Sequence, residues 1–154
     1  MTVEFHMDAI DRKILMALQH DASLSLADLS DRVSLSRSAC GRRLQRLEEA
    51  GITLKRVTLL DNAKVGLPLT VFISVRTDKH NPEWASVFRE VVAAIDGVQE
   101  VYRLGGSVDY LIKAVVSGMS DYDRLYQELI AADLLDVSAS FVMEEIMRST
   151  VLPL

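Results

Sequence analysis

Between Ser36 and Arg56 the chain carries Arg37, Arg42, Arg43, Arg46, Lys55 and Arg56, opposed only by Glu48 and Glu49. Cationic side chains at this density attract phosphate, and an arginine can also grip a guanine edge through two parallel hydrogen bonds. Ser36 and Ser38, interleaved with them, bring hydroxyls that suit other base edges or the phosphate backbone. The remaining reactive types are sparse. His6 and His20 stand near the start, His80 stands beside Asn81, and Cys40 is the only cysteine. No His/Cys/Asp grouping has metal-ligand spacing, no nucleophile–base arrangement is evident, and no cofactor is expected.

The overall charge of −5 argues by itself against a nucleic-acid binder, so the distribution decides. Residues 1–60 hold nine Lys/Arg against eight Asp/Glu, whereas residues 61–154 hold eight against fourteen. An acidic body with one local cationic patch can bind DNA there without adhering to it elsewhere. At 154 residues the chain is one ordinary domain or two small ones. No apolar run reaches the roughly 18 residues of a membrane span, and a secretory signal pattern is absent. With a single cysteine there is no internal disulfide, and the cytoplasm is the expected compartment. Met1–His6 fits no helical or strand pattern. It reads either as a vector remnant ahead of Met7 or as native sequence, and is left out of the fold reading.

The elements that must position the basic residues follow from periodicity. Asp8–His20 reads as a helix on the spacing of Ile10, Ile14, Leu15 and Leu18, with Asp11, Arg12 and Lys13 off that stripe. Ser25 is placed to cap a second helix, with Asp28 three residues on, and Leu26, Leu29 and Val33 supply its buried stripe. After the short turn at Ser34-Leu35, Ser36 caps a third helix that runs to about Ala50 and stops at Gly51. Projected at about 100° per residue, Cys40, Leu44 and Leu47 share one side of this helix. Ser38, Arg42, Gln45 and Arg46 fall roughly opposite, with Arg43 on a flank. This is a helix-turn-helix, whose second helix reads bases mainly through its N-terminal part. The expected DNA contacts are Ser36, Arg37, Ser38, Arg42 and Arg46, with Arg43 on phosphate. Ile52–Leu60 turns to strand-like composition and predicts a wing that places Lys55 and Arg56 against phosphate. Gly41, inside the third helix, reads either as room for close approach to DNA or as an incidental residue.

Asp61–Pro68, with Asn62, Gly66 and Pro68, breaks the pattern and reads as a linker. Beyond it, Leu69–Arg76 alternates as a strand, and Asn81-Pro82 opens a helix bearing Trp84, Val87, Phe88, Val91 and Ile95. Asp96-Gly97 closes that helix. A strand at Val98–Leu104, a turn at Gly105–Ser107 and a strand at Val108–Val116 follow. Ser120 caps another helix, and the last strand covers roughly Val137–Met147. The order β-α-β-β-α-β predicts an α+β, ferredoxin-like domain: a four-stranded antiparallel sheet with both helices on one face. Phe72, Tyr102 and Phe141 look too apolar for the uncovered face, so a second copy of the chain is the expected cover. The organisation is thus a winged helix-turn-helix over 7–60, a linker over 61–68 and the ferredoxin-like unit over 69–154.

Taken together, the two units resemble the leucine-responsive regulatory protein and asparagine regulator (Lrp/AsnC) family of bacterial transcription regulators. The resemblance rests on Ile10-Asp11-Arg12-Lys13-Ile14-Leu15, Leu35-Ser36, Cys40, Arg43-Leu44, Arg46-Leu47-Glu48 and Gly51-Ile52. In the second half it rests on Gly106, Asp109-Tyr110-Leu111 and Met143-Glu144-Glu145. It implies a regulator whose DNA affinity or assembly responds to a small amino acid and which forms dimers and larger assemblies of dimers. Arg37-Ser38-Ala39 and Arg42 depart from common members, as does Ser140-Phe141 where Tyr is frequent, so neither an operator nor a leucine-type ligand carries over. Asn81-Pro82-Glu83-Trp84 and Thr150–Leu154 are similar to a subgroup that responds to sulfur amino acids.

A free amino acid needs an anion-binding corner and a partner for its ammonium. Gly105-Gly106-Ser107 can turn backbone N–H groups toward a carboxylate, and Asp109 can accept the ammonium. The same residues also read as an ordinary hairpin turn with a surface aspartate. The resemblance places a ligand site between dimers near Gly105, Gly106, Ser107, Asp109, Met119, Ser140 and Phe141. Two rival readings stand beside the regulator. One is an architectural DNA binder without an effector. The other is an enzyme, because some tetrapyrrole-processing decarboxylases are similar to this family; the missing catalytic constellation argues against it.

Overall fold

The computed structural model describes residues 5–154, which leaves Met1–Glu4 of the set-aside segment outside the described residues. The chain forms two compact units, one containing residues up to Thr58 together with Ile146–Leu154, the other Leu59–Glu145. The last nine residues, read from the sequence as the end of the ferredoxin-like unit, therefore belong with the first. They are tied there by the Gln19 side-chain amide, which accepts from the Leu152 N–H at 2.6 Å and donates to the Leu152 carbonyl at 3.3 Å.

Three helices make the first unit: α1 (Ala9–His20), α2 (Leu26–Arg32) and α3 (Arg37–Glu49). Ser25 and Ser36 cap where expected, and Asp8, read as the first residue of the first helix, is its cap instead. Asp8 caps α1 in a reciprocal capping box with Asp11, Ser25 caps α2 through the Asp28 N–H, and Ser36 caps α3 through the Ala39 N–H. Both α2 and α3 end in Schellman-type closures. Leu35 N–H bonds Ser30 C=O across Ser34, whose φ is +56°, and Ile52 N–H bonds Leu47 C=O across Gly51, whose φ is +70°. Ile14, Leu15, Leu29, Val33, Cys40 and Leu47 form the core. Phe5 and Met7 pack against it, so the segment set aside from the fold reading contributes at least its Phe5 side chain.

No strand forms between residues 52 and 60, so the wing expected there is an extended stretch without a ladder. A strand needs a hydrogen-bonding neighbour, and this segment finds none among the described residues. Leu54, Val57, Leu59 and Leu60 are consequently exposed, Leu54 almost completely. A turn at 62–66 follows, where the Asp61 carboxylate accepts from the Ala63 and Lys64 amides.

The second unit runs β1 (Leu69–Arg76), α4 (Pro82–Ala94), β2 (Val98–Arg103), β3 (Tyr110–Val116), α5 (Met119–Ile130) and β4 (Asp136–Phe141). The sheet order is β2-β3-β1-β4, antiparallel throughout. Val71, Ile73 and Val75 of β1 and Ile112 and Ala114 of β3 alternate onto the covered face, where Trp84, Phe88 and Val92 of α4 and Leu125 and Leu129 of α5 bury them. Trp84 stacks on Phe88 at 5.1 Å and donates its indole N–H to the Ala132 carbonyl at 2.9 Å, which gives the ring's one polar atom a partner.

Two local expectations change. Ser120 lies inside α5, whose N-cap is Gly118 without a side-chain cap; Asp121 instead accepts from the Ser117 N–H at 3.1 Å. The final strand stops at Phe141 and does not reach Met147. Its ladder partner β1 starts at Leu69, and the Val142 N–H to Thr70 C=O bond is the last that partner can offer.

Candidate nucleic-acid interface and ligand-binding unit

The inner side of α3 is apolar, with Cys40 and Leu47 fully buried, as its periodicity predicts. Burial pushes the Cys40 thiol up from its ordinary value, so the residue packs as a small hydrophobe and holds no reactive thiolate. Arg37, Ser38 and Arg42 are exposed, and neither arginine has an ion pair or hydrogen bond among the described residues. Ser36 spends its hydroxyl on the helix cap and lies 3.3 Å from the Ser38 hydroxyl. The first half of α3 thus presents free donors on a helix held firmly from behind.

The second half differs from the sequence expectation. Arg43 bonds Asp8 at 2.7 Å and Asp11 at 2.8 Å, while Arg46 bonds the other oxygen of Asp11 at 2.5 Å. Asp11, read as lying off the buried stripe, is completely inaccessible. Its carboxylate receives both arginines and the Asp8 N–H. Arg46 is still about half exposed and lies 5.0 Å from the centre of the Phe5 ring. Arg43 is therefore a tie between α1 and α3. The hydrogen bonds that Arg43 donates to Asp8 and Asp11 raise its already high pKa further. The signal for this network was present in the sequence as two carboxylates three residues apart at a helix start, but spacing alone does not say which arginines come to meet them. Lys55 and Arg56 are exposed on the extended stretch after α3, with Arg56 3.8 Å from Glu48.

In the second unit, the turn between β2 and β3 holds Gly105, Gly106 and Ser107, all exposed, with Gly106 at φ +147°. Asp109 closes this turn. Its Oδ2 accepts from the Thr77 N–H at 2.9 Å, its N–H donates to the Val75 carbonyl, and its carbonyl accepts from the Leu104 N–H. One carboxylate oxygen is thereby committed to structure. Met119 lies at the start of α5, which follows β3, and is largely exposed. Ser140 and Phe141 pair with Phe72 and Val71 of β1. The expected ligand residues therefore divide between the two ends of the sheet: Tyr110, beside the turn, pairs with Val75, whereas Val116, beside Met119, pairs with Leu69. Six residues of strand separate those pairs, roughly 20 Å at about 3.3 Å per residue. Ser140 and Phe141 also face opposite ways. Phe141, expected on the uncovered face, meets the Tyr122 ring of α5 edge-on at 5.0 Å, while Phe72 and Tyr102 do lie on the open side. One chain does not assemble the set. A cleft of about 740 Å³ in the first unit and one of about 220 Å³ beside α4 include none of these residues.

Among the described residues no group of three His, Cys, Asp or Glu side chains is placed to hold a metal ion. No helix among the described residues is long and apolar enough to cross a membrane.

Comparison with known proteins matches each unit separately. Residues 7–48 match the AsnC-type helix-turn-helix domain, and residues 70–152 match the Lrp/AsnC ligand binding domain. The chain is 48% identical over 149 residues to the glutamate uptake regulatory protein of Zymomonas mobilis, covering 96% of this chain and 91% of the relative. It is 42% identical over 150 residues to the DNA-binding transcriptional activator DecR of Escherichia coli K12, covering 96% and 99%. A transcriptional regulator of Neisseria meningitidis, solved in complex with L-Met, superposes with a TM-score of 0.89 at 34% identity over 96% of this chain and 97% of that one. All three relatives carry regulator or activator names, two of them as regulators of transcription. With both domains matched in order across nearly the whole length, the chain belongs to the Lrp/AsnC family of helix-turn-helix transcription regulators.

Proposed function

We propose that this regulator sets α3 into the major groove of double-stranded DNA, reads bases with Arg37, Ser38 and Arg42, and takes a small amino acid as effector in its second unit. The observation that carries the DNA half is the pairing pattern on α3. Arg37 and Arg42 are exposed and uncommitted near the N-terminal half of the helix, the part that meets base edges in this motif. Ser36 borders that surface, Arg46 reaches it from the side, and Lys55 and Arg56 add phosphate contacts from the extended stretch beyond. Such a protein works where the chromosome is, in the cytoplasm.

For the effector, the N. meningitidis relative with bound L-Met and the similarity to sulfur-amino-acid responders favour a sulfur amino acid. The site forms between copies of the chain: the Gly105-Gly106-Ser107 turn and Asp109 of one copy meet the region of Met119, Ser140 and Phe141 of another. The separation of these two groups along the sheet supports a shared site, because each copy brings only half of the polar and apolar groups. It also supplies the coupling, since a ligand that bridges copies favours one assembly over another. Dimers, and assemblies of dimers, are the working form.

The test has two arms. Thermal melts with each of the twenty amino acids at millimolar concentration should show a rise in Tm for a small subset that includes a sulfur amino acid; no shift with any of them would leave an architectural DNA binder. Arg42→Ala should weaken binding to a duplex recovered by in vitro selection by about 1–3 kcal/mol, and unchanged affinity would remove Arg42 from the reading surface.

A further inference from the structure

Of the four arginines on α3, two are free and two are neutralised by their own chain. Asp8 and Asp11, the cap and third residue of α1, offer two carboxylates to Arg43 and Arg46. Charge in this cluster balances, so the cationic surface of α3 is confined to Arg37 and Arg42 in its N-terminal half. The acceptors are placed as phosphate oxygens would be, within hydrogen-bond reach of guanidinium edges that could otherwise contact a DNA backbone. Arg46 is further confined, with the inaccessible Asp11 carboxylate bonded to it and the Phe5 ring 5.0 Å away.

We infer that Asp8 and Asp11 act as specificity-setting positioning residues: they withhold Arg43 from the phosphate backbone and hold Arg46 in one orientation, limiting sequence-independent attraction to DNA. This rests on the α3 interface proposed above. Sequence-independent affinity grows with each phosphate neutralised, and it competes with correct sites across a genome. A reading helix with every arginine loose would bind any duplex more tightly and discriminate less. Tying two of them to internal carboxylates keeps the helix rigid and leaves the free charge where base edges are met.

The decisive variant is Asp8→Asn, since asparagine caps a helix about as well as aspartate, Arg43 is left with only the Asp11 carboxylate that it shares with Arg46 and can turn to phosphate, and the Asp11–Arg46 pair still ties α1 to α3. Binding of the full chain to a random-sequence 30-base-pair duplex would be measured by fluorescence anisotropy from about 50 to 300 mM NaCl, with helicity checked by circular dichroism. Asp8→Asn should tighten this binding about three- to tenfold at about 100 mM salt and steepen the log–log salt slope by up to about one per chain. Adding Arg43→Ala should return both quantities to wild-type values. Asp31→Asn, which removes a charge from α2 that pairs with no α3 arginine, should change neither. The inference is overturned if folded Asp8→Asn binds like wild type, if the gain survives loss of Arg43, or if Asp31→Asn produces the same gain. Failure of the interface itself would look different: wild type would not bind the duplex at low salt, or Arg37→Ala and Arg42→Ala together would leave its affinity unchanged.

Discussion

Asp8 illustrates how one side chain serves local and tertiary structure together. Its carboxylate accepts from the Asp11 and Ile10 amides as a helix cap and also pairs with Arg43 on α3. The backbone hydrogen bond from Asp11, followed by the Arg43 side chain, lowers its pKa from 3.8 to about 2. A carboxyl whose folded pKa is depressed stabilises the fold above its unfolded value and loses that contribution as pH falls toward the folded value. Asp8 therefore supports the fold fully above about pH 4 and progressively less down to about pH 2. Thermal melts of wild type and Asp8→Asn at pH 6, 4, 3 and 2 should show a Tm difference that shrinks across the lower part of this range. A difference that stayed constant through pH 2 would contradict the assignment. Asp11 gives a complementary lesson. Its type and position suggested a solvent-facing residue, and only the arrival of two arginines from another helix makes its complete burial tolerable.

At the level of elements, the helix boundaries are largely local matters. Ser25, Ser36 and Asn81 cap as expected, and Asp8 caps one residue before the helix it was read into, because the donors they satisfy lie within three residues. Strand endings are not local: β4 stops where β1 runs out, and residues 52–60 remain unpaired despite strand-like composition. Two glycines separate the energetic roles of that residue type. Gly41 sits inside α3, and a methyl there would meet the Leu26 side chain at an ordinary 3.5 Å. Gly41→Ala should stabilise the protein by about 0.5–1 kcal/mol in urea unfolding, the helix-propensity difference. Gly97 closes α4 at φ +94°, where a Cβ would stand 2.6 Å from the Val115 carbonyl oxygen. Gly97→Ala should cost at least about 2 kcal/mol, through strain and the lost Val115 N–H to Gly97 bond. Equal effects of the two substitutions would refute this distinction.

The second unit as a whole leaves one side of its sheet uncovered. Phe72, Tyr102 and Leu111 lie there together, crossed by the Lys113–Glu100 ion pair at 3.0 Å. Partly exposed aromatic residues beside a fixed charge pair suit a protein partner better than water. A second copy is the occupant that the shared ligand site proposed above implies. Phe72→Asp should shift the sedimentation coefficient toward that of the monomer, with the Trp84 fluorescence spectrum unchanged because Trp84 packs on the opposite face. An unaltered oligomeric state would place the contact between copies elsewhere.

Much of this protein was legible from residue order alone: the three capped helices, the apolar back of α3, the β-α-β-β-α-β sequence and the location of the basic stretch. Each depends on periodicity or on partners a few residues away. Three things waited for the folded chain: the capture of Arg43 and Arg46 by Asp8 and Asp11, the turn of Phe141 onto the helix side, and the return of the tail to Gln19. All three join residues more than 15 positions apart, and local pattern carries no information about which distant group will complete a charge, a ladder or an apolar contact.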